Sequence, residues 1–190
     1  MTSRLILASQ SRYKCSLMRR LGVDFDAIAT GVDESRNAGE TPLELARRLA
    51  RCKAEAAAAA HPDAFVIGSD QVVSLDSQVF NKPVTAQRAA AQLAELAGKT
   101  HDLTSAVALV TPDGEALEEV VRFEMTMRPL TPEQIRAYVA EDEPLDCAGS
   151  YRVESAGIRL FEALGGDDYT AVIGLPLTRV WTLLEQSGFV

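Results

Sequence analysis

Val66-Ile67-Gly68-Ser69-Asp70-Gln71-Val72-Val73 is an apolar run that feeds a Gly-Ser pair, delivers one carboxylate and one amide, and leaves through a second apolar run. Such a pattern reads as a buried strand interrupted where the backbone needs freedom. On that reading Asp70 stands where a sheet ends or bends, held by rigid neighbours. A carboxylate so placed is a catalytic group, a metal ligand or a turn cap, and capping is the plainest of the three. Successive side chains on a strand face opposite ways, so a bend at Gly68-Ser69 is expected to let Asp70 and Gln71 reach one cleft.

On the N-terminal side, Leu5 to Ala8 reads as a first buried strand, followed by Ser9-Gln10-Ser11 and a basic amphipathic helix from Arg12 to Leu21. A strand that ends in a small polar turn and opens a helix is an anion-binding geometry, because free N–H groups and the positive helix end face the ligand. Ser9 and Ser11 serve equally well as ordinary caps. Phe25 to Ile28 predicts a short strand, and the polar stretch through Gly39, with Asp33-Glu34, predicts a loop. Thr41-Pro42-Leu43-Glu44 combines a capping Thr, Pro at the first helical position and Glu at the third, a strong helix start. An Ala-rich helix is expected to run to Ala60 with Leu43, Leu45, Ala46, Leu49 and Ala50 toward the core, and Lys53 rides on it.

On the C-terminal side, Asn81-Lys82-Pro83 makes a turn and Thr85 to Ala97 a helix that stops at Gly98. Leu103 to Val110 and Glu118 to Met127 flank Pro112-Asp113-Gly114 as a hairpin. Thr131-Pro132-Glu133-Gln134 repeats the helix opening. Ala148-Gly149-Ser150 allows close backbone approach, Val153-Glu154 continues irregularly, Gly165 to Asp168 is a loop, Ala171-Val172-Ile173 a last strand, and Leu177 to Gln186 a closing helix. These elements predict an α/β domain over 1–190 with a mixed, elongated and highly twisted sheet flanked by helices, in two lobes with a central cleft.

Composition narrows the partners. A hydrophobic content of 47% supports a sizeable core. The net charge of -8 argues against nucleic acid or an anionic membrane as partner, although a few bases can still converge on a small anion. Cys15, Cys52 and Cys147 lie far apart without CxxC spacing, which disfavours zinc and disulfides and fits a cytoplasmic protein. No apolar run approaches the length of a membrane span. Thr2-Ser3-Arg4 passes straight into Leu5-Ile6-Leu7, so no signal peptide is expected.

Ser9, Ser11, Glu34, Asp70, Lys82 and Glu154 sit at expected strand ends or turns. Carboxylates that converge with lysines suit magnesium-dependent phosphate chemistry, since magnesium needs only one or two protein oxygens beside the substrate phosphates. There is no GxxxxGK[ST] loop, and neither His61 nor His101 adjoins a nucleophile-like turn. The residues alone predict a divalent-metal phosphohydrolase or an anion binder.

Leu5-Ile6-Leu7-Ala8-Ser9-Gln10-Ser11, Val32-Asp33-Glu34, Lys53-Ala54, Gly68-Ser69-Asp70-Gln71-Val72, Asn81-Lys82-Pro83, Cys147-Ala148-Gly149-Ser150-Tyr151 and Gly174-Leu175-Pro176-Leu177 together resemble, in order, the motifs of the Maf family. The resemblance implies a house-cleaning nucleoside triphosphate pyrophosphatase that cleaves between the α and β phosphates. It also implies a divalent cation (Mg²⁺ or Mn²⁺), a cytoplasmic location and a possible homodimer. It assigns Asp70 as general base, Glu34 and Asp70 as metal ligands, and Ser9, Lys53 and Lys82 as phosphate binders.

Gln71, where family members acting on dTTP and UTP carry Thr, resembles the 7-methyl-GTP branch, as do Tyr13 and Glu154. On that resemblance these three set base choice. An electron-rich ring attracts a cationic methylated purine, and a carboxylate accepts from guanine N1–H and N2–H₂. Ser11-Arg12-Tyr13-Lys14-Cys15 departs from the family's Ser-Pro motif, placing Lys14 where a phosphate-binding Arg is expected, without the bidentate fork. The alternatives are a dTTP/UTP pyrophosphatase and a non-catalytic nucleotide-binding regulator of cell division or septum formation.

Overall fold

The computed structural model describes residues 4–190, so Thr2 and Ser3, on which the signal-peptide expectation partly rests, lie outside the described residues. The elements in order are β1 (Arg4–Leu7), α1 (Arg12–Arg19), β2 (Asp26–Ala27), α2 (Pro42–Ala60), β3 (Ala64–Leu75), β4 (Gln78–Val79), α3 (Ala86–Leu96), β5 (Thr100–Val110), β6 (Ala116–Met127), α4 (Pro132–Asp142), β7 (Phe161–Gly165), α5 (Thr170–Ile173) and α6 (Leu177–Gln186). The strands form one 7-stranded sheet in the order β2-β1-β3-β5-β6-β7, with β4 paired to β3. β1 runs parallel to β2 and β3, whereas β4 and β7 run antiparallel to β3 and β6. The sheet is mixed, as the alternation of elements predicts.

Two compact units share the chain. The first holds residues up to Gln71, Ser105–Val121 and Asp168–Val190, and the second holds Val72–Thr104 and Arg122–Asp167. The core of the first joins Leu5 and Leu7 of β1, Leu17 and Met18 of α1, Ile67 of β3, Leu109 of β5 and Val180, Leu183 and Leu184 of α6. Each such side chain contributes about 1.5–3 kcal/mol when fully buried. In the second unit α3 packs on α4, burying Ala89, Leu93 and Leu96 against a layer that includes Ile135, Tyr138 and Val139.

Both Thr-Pro openings form capping boxes. The Thr41 N–H donates to Glu44 Oε2 (2.8 Å) while the Glu44 N–H donates to Thr41 Oγ1 (3.2 Å). Thr131 and Gln134 repeat the exchange at 2.8 and 3.3 Å.

The structure corrects four expectations. β3 runs unbroken through Gly68, Ser69, Asp70 and Gln71, so Asp70 lies inside a strand and not at a sheet end or bend. The glycine is there for the helix above it: a Cβ at 68 would lie 2.1 Å from the Ala50 carbonyl oxygen and 2.5 Å from the Ala54 nitrogen. Leu43 is 47% exposed, and the inward face of α2 continues instead through Lys53, Ala54 and Ala57. Ala171-Val172-Ile173 is the body of α5, a short helix, because its start is tied to the Asp168 carboxylate and tertiary bonds override β-branched propensity. Finally, Gly165, expected to open a loop, is the last residue of β7. Only its first residue, Phe161, is buried, so this edge strand carries no alternation to read.

Candidate active site

Side chains alternate along β3, and the two faces meet different elements. Gly68 and Asp70 face α2, and Ser69 and Gln71 face the α5 segment. The missing side chain at Gly68 lets α2 come down onto the strand at Ala50 and Ala54. Lys53, one turn beyond Ala50 on the same helix face, therefore starts close to Asp70.

The Lys53 ammonium lies 2.6 Å from Asp70 Oδ1 and 2.5 Å from Glu34 Oε1. The Lys53 and Asp70 side chains are 11% and 13% exposed, whereas Glu34 is 57% exposed. Burial alone would lower the Lys53 pKa, but Asp70 and Glu34 outweigh it and hold the group above its ordinary value. Two carboxylate oxygens thus converge on one ammonium group.

Glu34 is carried by a loop that α2 also holds. Arg48 Nη2 donates to the Ser35 carbonyl (2.8 Å), Arg48 Nε donates to Glu40 Oε1 (2.6 Å), and the Ser35 N–H donates to Asp33 Oδ1 (2.9 Å). One helix therefore supplies the lysine, the close seat on β3 and the anchor of the Glu34 loop.

On the other face of β3, Lys14 Nζ donates to the Ser69 carbonyl at 2.6 Å. Gln71 Nε2 donates to the carbonyls of Ala171 (2.7 Å) and Val172 (3.0 Å). Asp70 and Gln71 consequently meet different elements, and no bend turns them to one side. Tyr13 lies on α1 with the Arg12 guanidinium 4.7 Å from its ring centroid and Arg12 Nη2 bonded to its hydroxyl (2.6 Å). Ser9 Oγ accepts the Ser11 N–H (3.2 Å), stabilising the turn between β1 and α1.

Lys82 and Glu154 belong to the second unit. Lys82 is exposed in the loop after β4, just before the buried Pro83. Glu154 is exposed in a turn between Arg152 and Ser155, both of which bond to Asp142 Oδ1 (3.0 and 2.7 Å). Gly149 in the same unit has φ +71°, and a Cβ there would lie 2.7 Å from the Tyr151 ring.

The structure thus brings Glu34, Lys53 and Asp70 together and groups Lys14 with Gln71 around Ser69. Sequence reasoning missed Arg48, Asp142 and Asp168 as supports. For Asp168 a local signal existed: Asp168-Tyr169-Thr170 is the pattern in which a carboxylate caps the backbone two residues on.

The family model described as Maf-like protein matches residues 4–187. This chain belongs to the Maf-like family. Among relatives of this Maf-family chain, a 7-methyl-GTP pyrophosphatase of Xanthomonas campestris pv. campestris (strain 8004) is 47% identical over 189 residues, covering 100% of this chain and 98% of the relative. A 7-methyl-GTP pyrophosphatase of Pseudomonas putida is 45% identical, covering 97% and 96%. The structure of the Staphylococcus aureus Ham1 protein aligns with a TM-score of 0.54 at 16% identity, covering 97% of this chain and 99% of that one. That likeness shows the shared mixed α/β fold.

Proposed function

We propose that this Maf-family chain is a nucleoside triphosphate pyrophosphatase that hydrolyses the α–β phosphoanhydride of 7-methyl-GTP to 7-methyl-GMP and pyrophosphate, a house-cleaning reaction on modified nucleotides. The observation that carries the reading is the convergence of Glu34 and Asp70 on the Lys53 ammonium, supported by the names of the relatives. Asp70 accepts the proton of the attacking water as its oxygen bonds to phosphorus, and the bridging oxygen leaves with pyrophosphate. Ser9, Lys14, Lys53 and Lys82 bind the triphosphate. Tyr13, Gln71 and Glu154 select the base, and the Arg12 guanidinium over the Tyr13 ring supports that ring as a surface for a cationic purine.

Glu34 and Asp70 fit a divalent cation. They offer hard oxygen donors brought to one point, and magnesium asks little more of a protein when phosphate oxygens and water complete its shell. Among the described residues there is no group of three or more His, Cys, Asp or Glu arranged to hold a metal. When bound, the ion supplies charge neutralisation on the phosphates and a more acidic water. A cytoplasmic setting and a homodimer belong to the same reading, and the three free thiols support the first.

The deciding experiment incubates purified protein and Mg²⁺ with 7-methyl-GTP, GTP, dTTP and UTP, and measures pyrophosphate. Fastest release from 7-methyl-GTP is expected. Fastest release from dTTP or UTP overturns the base assignment, and none from any nucleotide overturns the enzyme reading in favour of a binding regulator.

A further inference from the structure

Both N–H bonds of the Gln71 amide are committed to main-chain carbonyls, those of Ala171 and Val172. A carbonyl can only accept, so the orientation of the amide is settled and Oε1 is its remaining end. Oε1 adjoins Gly174, where an added Cβ would lie 4.0 Å from it and 3.8 Å from Lys14 Cγ. The described residues place no donor on Oε1.

The two carbonyls belong to α5, a helix of 4 residues, too short to hold its shape unaided. Its shape comes from Asp168, 3% exposed, whose carboxylate accepts the Thr170 N–H (2.9 Å) and hydroxyl (2.5 Å) and the Thr178 N–H and hydroxyl (both 2.8 Å). Burial disfavours the charged carboxylate, but these donors outweigh it and hold its pKa below the ordinary value. Ser105 Oγ, fully buried, donates to the Ala171 carbonyl (2.9 Å).

We propose that Asp168 is a positioning residue for base selection: through α5 it fixes Gln71 as an acceptor only, which takes a hydrogen-bond donor of the bound nucleobase. The proposal rests on the reading of Gln71 as a base-selecting residue. A purine with an exocyclic amine beside its ring N–H presents adjacent donors to such an oxygen. A pyrimidine dione presents one N–H between two carbonyl acceptors, and an acceptor facing Oε1 is repelled.

The test compares kcat/KM for 7-methyl-GTP and UTP in the wild type, Gln71→Leu, Asp168→Asn, Ser105→Ala and the Gln71→Leu/Asp168→Asn double variant, with 7-methyl-ITP as a probe lacking the amine. Gln71→Leu is expected to lower the 7-methyl-GTP preference about tenfold, the scale of one hydrogen bond. It should also narrow the distinction between 7-methyl-GTP and 7-methyl-ITP, leaving the part that Glu154 supplies. Asp168→Asn should lower the preference by a similar factor through KM, with no further drop in the double variant. Ser105→Ala should move it the same way, and it decides the matter if Asp168→Asn does not fold.

A normal preference in both Asp168→Asn and Ser105→Ala, while Gln71→Leu loses it, overturns the positioning role and leaves the base reading standing. Equal losses on both nucleotides, additive with Gln71→Leu, show a merely structural Asp168 and overturn it too. An unchanged preference in Gln71→Leu removes the base reading and the proposal together.

Discussion

The Lys53 ammonium lies within ion-pair distance of both Glu34 and Asp70, and the charge balance of the cluster turns on it. Asp70→Asn is expected to cut the turnover of pyrophosphate release at least about a hundredfold, since the amide cannot take the proton of the attacking water. Lys53→Gln leaves a mostly buried carboxylate without its cation. It should cost about 1–3 kcal/mol in urea denaturation as well as activity. His101, 2% exposed, tests a different balance. Its Nε2 lies 2.9 Å from the Tyr151 hydroxyl, and its buried Nδ1 has no partner among the described residues. Burial pulls its pKa down to about 4, with Asp102 opposing only in part. Between about pH 6.5 and 4 the unfolded chain takes up a proton that the folded chain refuses, so stability falls as the solution is acidified. The loss should approach about 3 kcal/mol. Denaturation midpoints at pH 7 and pH 4.5 should lie farther apart in the wild type than in His101→Gln.

At the scale of elements, α2 bears most of the site. Gly68→Ala drives a methyl group into the helix main chain at Ala50 and Ala54. It is expected to destabilise by at least about 3 kcal/mol, because backbone cannot move aside as a side chain can. The thermal midpoint and the nucleotide turnover of Gly68→Ala should fall together. α2 was legible in the sequence because its start is written locally, in Thr41, Pro42 and Glu44, and its long period needs no partner to be seen. The hairpin of β5 and β6 was legible for the same reason, through Pro112-Asp113-Gly114. α5 was not, since Ala171-Val172-Ile173 favours a strand and only the bonds of Asp168 to Thr170 and Thr178 reverse that preference. The site divides along the same line. The order of motifs singled out Glu34, Lys53 and Asp70, but the sharing of one ammonium by two carboxylates depends on helix–strand contact, which no window of sequence contains. The same motif singles out Gln71, but the bend assumed there puts it on the wrong face of β3.

For the molecule as a whole, the cation requirement is the sharpest prediction. EDTA should stop pyrophosphate release and Mg²⁺ or Mn²⁺ should restore it. A thermal shift on adding the cation with nucleotide should be present in the wild type and smaller in Glu34→Gln. It is on β3 that α2 rests. That resting point has a consequence for how the protein can vary. Asp70 and Lys53 tolerate any change that keeps charge and reach at some remaining level of activity, so their substitution is graded. Position 68 is all-or-none, because every other amino acid brings a Cβ to the same forbidden place. A saturation library selected for folding alone, with no nucleotide present, should therefore retain many residues at 70 and only glycine at 68, so that the tightest constraint falls on the residue with no chemistry of its own.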